Sequence, residues 1–395
     1  MAAHRIFCTL IPPHILMPLA TQADPALAYA ARRTLERDAY ERTHRDLTSL
    51  LGVPRVVRPA EAEADRPYRT VYDGQHGIGL PGAKMVSENS EDASGDAAVN
   101  RAYTGLGAAF DLFFDAYGRR SLDSDGLPLT ATVHYDEGYC NAFWNGEQMV
   151  FGDGDGEFFL DLTKSIDAIG HELTHGVTQY TANLGYHGQA GALNESMSDV
   201  FGSLVKQYAF GQMATEADWL IGAGILSPRV NGVALRSLKA PGTAYDDEVL
   251  GKDPQPATMD GYVRTAYDNG GVHINSGIPN HAFYLFAAAL GGHAWERAGQ
   301  IWYDVLTGGE LPEMADFGGF ARLTAQAAIE RYGHGEEIQA LMKAWHDVGV
   351  STEGGGGGGN SERRRGGFAG ATPPPPPPQL HTSPGPDIGG DDDEW

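Results

Sequence analysis

The segment IDAIGHELTHGVTQY, residues 166–180, sets two histidines and a glutamate inside an apolar, helix-forming stretch. On a helix of 3.6 residues per turn, positions i and i+4 share a face, so His171 and His175 point at one spot. Two neutral imidazoles converging on a point suit Zn²⁺. Glu172 lies beside such an ion without ligating it, where a general base for a metal-bound water is needed. HExxH is also short enough to arise as two core histidines at helical spacing, so its meaning depends on the rest of the chain. A catalytic zinc keeps three protein ligands and one open position. The next helix supplies a candidate third ligand in GALNESMSDVFG, where 19 residues separate Glu195 from His175. Its neighbours Leu193, Met197, Val200 and Phe201 are too apolar for an ordinary exposed carboxylate. Asp199, four residues on and on the same face, is the natural carboxylate to hold the other ring nitrogen of a histidine ligand.

The surroundings of that helix define the fold class. From about Arg69 to Asp161, apolar and polar residues alternate between Gly/Asp turns, and TATVHYD, NAFWNGEQMVFGDGDG and EFFLDL read as strands joined by hairpins. One helix, DAAVNRAYTGLGAAFDLFFDAYG, interrupts them. From residue 165 the pattern is mostly helical, through ALNESMSDVFGSLVKQYAFG, PNHAFYLFAAALGG and GQIWYDVLTG to EEIQALMKAWHDVGV. The reading is an α+β fold of two lobes: a mainly antiparallel β N-terminal lobe over 69–180, ending in the HELTH helix, and an α-helical C-terminal lobe over 181–350. The active site is expected between them. With 395 residues the chain has room for both cores. Its formal charge of −24 argues against nucleic acid and anionic membranes as partners.

Both ends read differently. Residues 1–50 hold a Pro-broken apolar run and a charged helix opened by Asp24 and Pro25, a small appendage rather than a core domain. Pro12 and Pro13 split the apolar run too early for a signal peptide, and no run reaches the roughly 18 apolar residues of a membrane span. Residues 51–68 read as a linker. The segment 351–395, with its glycine and proline runs and acidic end, cannot bury a core and is expected to be disordered.

Five stretches together resemble the thermolysin-like zinc metallopeptidases, within them the protealysin-like branch: NAFWNGEQMVFGDGDG, GHELTHGVTQYTANLGY, GALNESMSDVFGSLVKQY, LRSL and YDNGGVHINSGIPN. The resemblance runs from about Arg69 to Val350. Other zincins fit worse, with Thr178 and Thr181 where metzincins need Gly and His, and Asn194 where many zinc aminopeptidases place the glutamate. The resemblance implies one catalytic zinc held by His171, His175 and Glu195, with Glu172 as general base. Tyr186 and His273 would stabilise the oxyanion, Asp268 would orient His273, and Arg236 would bind a substrate carbonyl. Asn141 and Ala142 would lie on the strand that pairs with an extended peptide substrate. Phe159, Leu162, Ala168 and Leu235 would line the pocket for the residue after the cleaved bond, favouring Leu, Phe or Ile.

The resemblance carries further expectations. Asp167 matches one carboxylate of thermolysin's double calcium site, but Lys206 stands where another should be, so that site is expected to be lost. PPHIL, Pro12 to Leu16, resembles the motif of protealysin-type propeptides, implying an inhibitory prosegment removed autocatalytically; a permanent N-terminal extension is the alternative. Peptide and protein substrates, a monomer and secretion are expected, with a cytoplasmic location as the alternative. The rival reading from another class is a catalytically silent zinc-fold binding module, which would have no need of Glu172, Tyr186 and His273 together. Cys8 and Cys140 are the only thiols. They read as unrelated residues or as a redox-sensitive tether in the precursor; alternatively Cys8 or His14 reaches the zinc.

Overall fold

The glycines of two helices decide how closely the motif-bearing elements meet. The computed structural model describes residues 8–22, 24–51, 65–88, 90 and 94–352, the side chains of 45–51 excepted; the expected tail and most of the expected linker lie outside the described residues. Helix α4 (Ile166–Gln179) is buried at every position from Ile166 to Thr178, so it runs through the interior. Helix α5 (Gly188–Ala209) packs along it. A Cβ on Gly202 of α5 would lie 2.5 Å from the Asp167 carbonyl oxygen and 2.9 Å from the His171 nitrogen. The missing side chain therefore lets the backbones touch. Asp199 and Glu195, one and two turns before Gly202 on the same face, are brought against His171 and His175.

On the other side of α4 stands a six-stranded sheet. Its strands are β1 (Cys8–Thr9), β2 (Arg69–Asp73), β3 (Ala83–Ser87), β4 (Leu129–Val133), β5 (Ala142–Trp144) and β6 (Met149–Phe151), in the order β1-β5-β6-β4-β2-β3. The β2–β4 and β4–β6 pairings are parallel and the rest antiparallel, so the sheet is mixed. Side-chain alternation reveals the faces of a strand but not the direction of its neighbour. Helix α3 (Ala97–Asp111), capped by Asp96, packs between this sheet and α4.

EFFLDL is not a strand. Asp155 Oδ1 accepts the N–H groups of Glu157, Phe158 and Phe159, winding the chain into a loop that makes a single bridge, Phe159 to Leu226. The first fifty residues also depart from expectation. Leu10, Ile11, Ile15, Leu16 and Leu19 are buried in the main core, and β1 is the edge strand of the sheet. After α1 (Pro13–Ala20) comes α2 (Pro25–Leu51), whose entry Asp24 secures by accepting from Ala26 N at 2.9 Å. Arg33 pairs with buried Asp136, the Tyr139 hydroxyl donates to buried Asp38, and Cys140 N donates to Thr34 Oγ1 at 3.0 Å. The segment is built into the molecule rather than appended to it.

The C-terminal part comprises α6 (Asp268–Asn275), α7 (Gly277–Leu290), α8 (Ala298–Thr307), α9 (Phe317–Tyr332) and α10 (Glu336–Asp347). Phe283, Phe286, Trp302, Phe320 and Trp345 pack ring against ring at its centre, some stacked and some edge-on. No helix among the described residues is long and apolar enough to cross a membrane. Gly202→Ala should destabilise the chain by about 2–3 kcal/mol through overpacking, although alanine favours an isolated helix by about 1 kcal/mol. A urea unfolding midpoint unchanged or raised by the substitution would refute the close approach.

Candidate active site

His171 and His175 turn their Nε2 atoms towards each other, 3.2 Å apart, and Glu195 places Oε2 3.6 Å from His171 Nε2 and Oε1 3.6 Å from His175 Nε2. Each ring is fixed from behind. His171 Nδ1 meets Asp199 Oδ1 at 2.8 Å, and His175 Nδ1 meets Asn194 Oδ1 at 2.9 Å. With acceptors at both Nδ1 positions, the Nε2 lone pairs face the centre of the cluster. Burial lowers His175 to about 3, reinforced by His171 and opposed by Glu195, so the ring is neutral. Burial alone would raise Glu195, but the cationic His273 beside it holds it below its ordinary value. Glu172 is fully buried beside this cluster and accepts from Trp144 N at 3.0 Å.

The opposite wall depends on an unusual backbone. Asp268, Asn269, Gly270 and Gly271 all have positive φ, which two glycines and an asparagine make tolerable. This coil folds Asp268 back on His273: Oδ2 accepts the backbone N–H at 2.9 Å and Oδ1 meets Nδ1 at 2.6 Å. Burial would lower His273, yet Asp268 and Glu195 outweigh it and keep the ring protonated up to about 9. The Tyr186 hydroxyl donates to Glu195 and lies 3.2 Å from His273 Nε2; burial keeps that phenol neutral. Arg236, 3% exposed, grips Asp199 through Nε and Nη2 at 2.9–3.1 Å. Asn280 Nδ2 donates to Asp199 Oδ2 at 2.8 Å.

The chain's own N-terminal strand lies between these walls. β1 runs antiparallel to β5, with Cys8 opposite Trp144 and Thr9 opposite Phe143. Leu10 N donates to Ala142 O at 3.0 Å, Ile11 N to Asn141 Oδ1 at 2.8 Å, and Asn141 Nδ2 to Ile11 O at 2.9 Å. His273 Nε2 reaches Thr9 O at 3.1 Å, and Arg236 Nη1 donates to Leu10 O at 3.0 Å. Leu10 is fully buried in the apolar core that includes Phe159, Leu162, Ala168 and Leu235.

Two family models match the chain. One, the thermolysin metallopeptidase catalytic domain, covers residues 62–179; the other, the thermolysin metallopeptidase alpha-helical domain, covers 182–350. The chain belongs to the thermolysin-like metallopeptidases. It is 49% identical over 346 residues to an extracellular metalloprotease of Pectobacterium carotovorum subsp. carotovorum, spanning 88% of this chain and 97% of that one. Protease PrtS of a Photorhabdus species is 43% identical, across 87% and 92% of the two chains. The solved precursor of protealysin, a metalloproteinase from Serratia proteamaculans, superposes with a TM-score of 0.78 at 49% identity, covering 87% of this chain and all of that one.

This thermolysin-like chain is therefore a metalloendopeptidase, and membership implies zinc. The residues fit such an ion. Two Nε2 lone pairs 3.2 Å apart repel unless a cation lies between them, and Glu195 Oε2 is buried without a hydrogen-bond donor. Ligands on a tetrahedral zinc with bonds of about 2.0–2.1 Å stand about 3.3 Å apart, close to the separations seen. Asn194 holds His175 and Asn280 holds Asp199 from behind, and no local sequence signal marks either. Lys206 Nζ lies 3.1 Å from Asp167 and 2.7 Å from Asp218, so an ammonium occupies the place beside Asp167. Neither cysteine is in a disulfide. The redox tether does not form: Cys8 faces Trp144, four residues along the strand from Cys140, a separation of about 13 Å.

His14, in PPHIL, does not reach the metal cluster but meets the Tyr245 hydroxyl at 3.4 Å. Burial lowers it to about 4; Asp268 opposes this, while His273 and Arg236 reinforce it. A base depressed in the docked state contributes stability that is whole above about pH 6.5 and lost as pH falls towards 4. In thermal unfolding of the uncleaved chain, wild type should lose on the order of 2 kcal/mol relative to His14→Gln between pH 6.5 and 4. A difference that does not vary across that window would remove the buried neutral imidazole.

Proposed function

We propose that the protein is a zinc endopeptidase made as a self-inhibited precursor, whose first fifty or so residues form a removable prosegment. The observation that carries this reading is the strand at residues 8–11, bonded along β5 and to His273 and Arg236 as an extended peptide substrate would be. The enzyme so released would cleave on the N-terminal side of bulky hydrophobic residues. In that frame Thr9 supplies the carbonyl of the bond under attack, and Leu10 occupies the pocket assigned to Phe159, Leu162, Ala168 and Leu235.

Zinc, when bound by His171, His175 and Glu195, supplies a Lewis acid that acidifies a water and polarises the peptide carbonyl. Glu172, held by Trp144 N–H, accepts the proton of the attacking water and carries it towards the leaving nitrogen. Negative charge then grows on the carbonyl oxygen. His273, cationic and fixed by Asp268, donates to that oxygen, and the neutral Tyr186 hydroxyl is a second donor. Arg236 binds the next carbonyl along, and Asn141 with Ala142 holds the peptide in register. Lys206 supports the reading that the double calcium site is absent, since an ammonium repels a second cation there.

Secretion is proposed by likeness to relatives named extracellular; proteolytic activity in the medium rather than in the cells tests it. Casein hydrolysis should disappear with a zinc chelator, and Glu172→Gln should lower kcat by roughly 10²–10⁴-fold. Hydrolysis that survives both changes would overturn the metallopeptidase mechanism. A peptide library should show graded preference for Leu, Phe and Ile after the cut, since one methylene in such a pocket is worth about 1–3 kcal/mol. Dominant cleavage before Lys or Asp would refute the pocket assignment.

A further inference from the structure

A segment that docks like a substrate in a working cleft ought to be cut. Thr9 O lies at His273 and Leu10 O at Arg236, so the Thr9–Leu10 bond is the one presented. One residue before that bond's carbonyl is Cys8, which is 2% exposed. Its sulfur, one ligand nitrogen of His175 and one carboxylate oxygen of Glu195 all lie within 4.8 Å of one another. Glu195 Oε2, buried in the same cluster, accepts no hydrogen bond. Cys8 also stands opposite Trp144, whose N–H holds Glu172. The thiol is thus directed at the ligand cluster and placed near the general base.

We propose that Cys8 is the fourth zinc ligand in the precursor, closing the position that the proposed mechanism reserves for water. This rests on the zinc-site reading above. The S–H bond breaks, the sulfur electron pair forms the bond to zinc, and the proton is released to solvent. Two negative charges, from the Cys8 thiolate and Glu195, then balance the dication. Thiolate sulfur bonds zinc at about 2.3 Å, and three nitrogen or oxygen ligands plus one sulfur complete a closed tetrahedral site of the structural kind. The prosegment survives in the cleft because its own side chain excludes the nucleophile. Leu10 in the pocket gives the strand its register, and Cys8 gives it immunity to cleavage.

Cobalt substitution tests this without reading catalysis. The full chain carrying Glu172→Gln, which blocks self-cleavage, is stripped of zinc and refilled with one equivalent of Co²⁺. The expected spectrum has the visible bands of tetrahedral cobalt together with an intense near-ultraviolet sulfur-to-cobalt charge-transfer band. Cys8→Ser should lose the near-ultraviolet band and keep the visible ones, while Cys140→Ser should keep both. Visible bands without the charge-transfer band in the Glu172→Gln chain would overturn the Cys8 ligand and leave the metal site standing. A charge-transfer band that persists unchanged in Cys8→Ser would overturn it equally. Failure of the Glu172→Gln chain to take up cobalt at all would overturn the zinc-site reading and, with it, this inference. The first comparison needs no Cys8 substitution, so a variant that folds poorly does not obscure it.

Discussion

Asp199 has no exposed surface and is fully engaged: His171 on one side, Arg236 through two nitrogens on another, and Asn280 on its second oxygen. Burial would raise its pKa, but Arg236 first and His171 next hold the carboxyl well below the usual range. Removing one partner from such an arrangement leaves an uncompensated buried charge, which costs far more than the pair contributes in isolation. The consequence is geometric. One carboxylate fixes the ring of His171 and the aim of the arginine that donates to Leu10 O, so the histidine cluster and the strand at residues 8–11 cannot drift apart. It can do so only because Gly202, one turn along α5, lets that helix lie against the backbone of α4.

The parts of this site that follow a local period were legible in the chain. His171 and His175 share a helical face because they are four residues apart, and Glu195 and Asp199 repeat that spacing on the next helix. The family resemblance pointed to Tyr186, Arg236, Asp268 and His273, which spacing alone does not connect. Asn194 and Asn280 were not legible, because an amide that supports a histidine or a carboxylate across a helix pair has no sequence signature. The fold divides in the same way. The α4, α5 and α7 segments declared themselves by apolar periodicity, whereas α9 buries a face made partly of alanine and threonine, which carries little hydrophobic signal. The parallel β2–β4 pairing and the Asp155-centred loop at EFFLDL depend on contacts that alternation does not encode.

Charge placement shows a second economy in the same region. Asp167 is 1% exposed and accepts from Ser165 Oγ and Gly222 N, each at 2.7 Å, with Lys206 at 3.1 Å supplying the opposite charge. A covalently attached ammonium is always at full local concentration, whereas a bound ion must be recruited from solution at a cost set by its own concentration. The buried charge of Asp167 is therefore countered from within the chain, by an ammonium that exposed Asp218 shares.

In the proposed precursor, the strand at residues 8–11 has one more consequence, for the order of the reaction that would remove it. While that strand fills the groove along β5, no other bond of the same chain can enter its own site. With Cys8 protecting the presented bond as proposed, a molecule with its prosegment docked would be cut only by another molecule whose groove is open. Maturation would then begin from the rare opened copies and accelerate as each product becomes a fresh catalyst. Its time course would be sigmoidal, with a lag that shortens as the protein is concentrated and that a trace of finished enzyme abolishes. Dilute protein would stay dormant and concentrated protein would ignite.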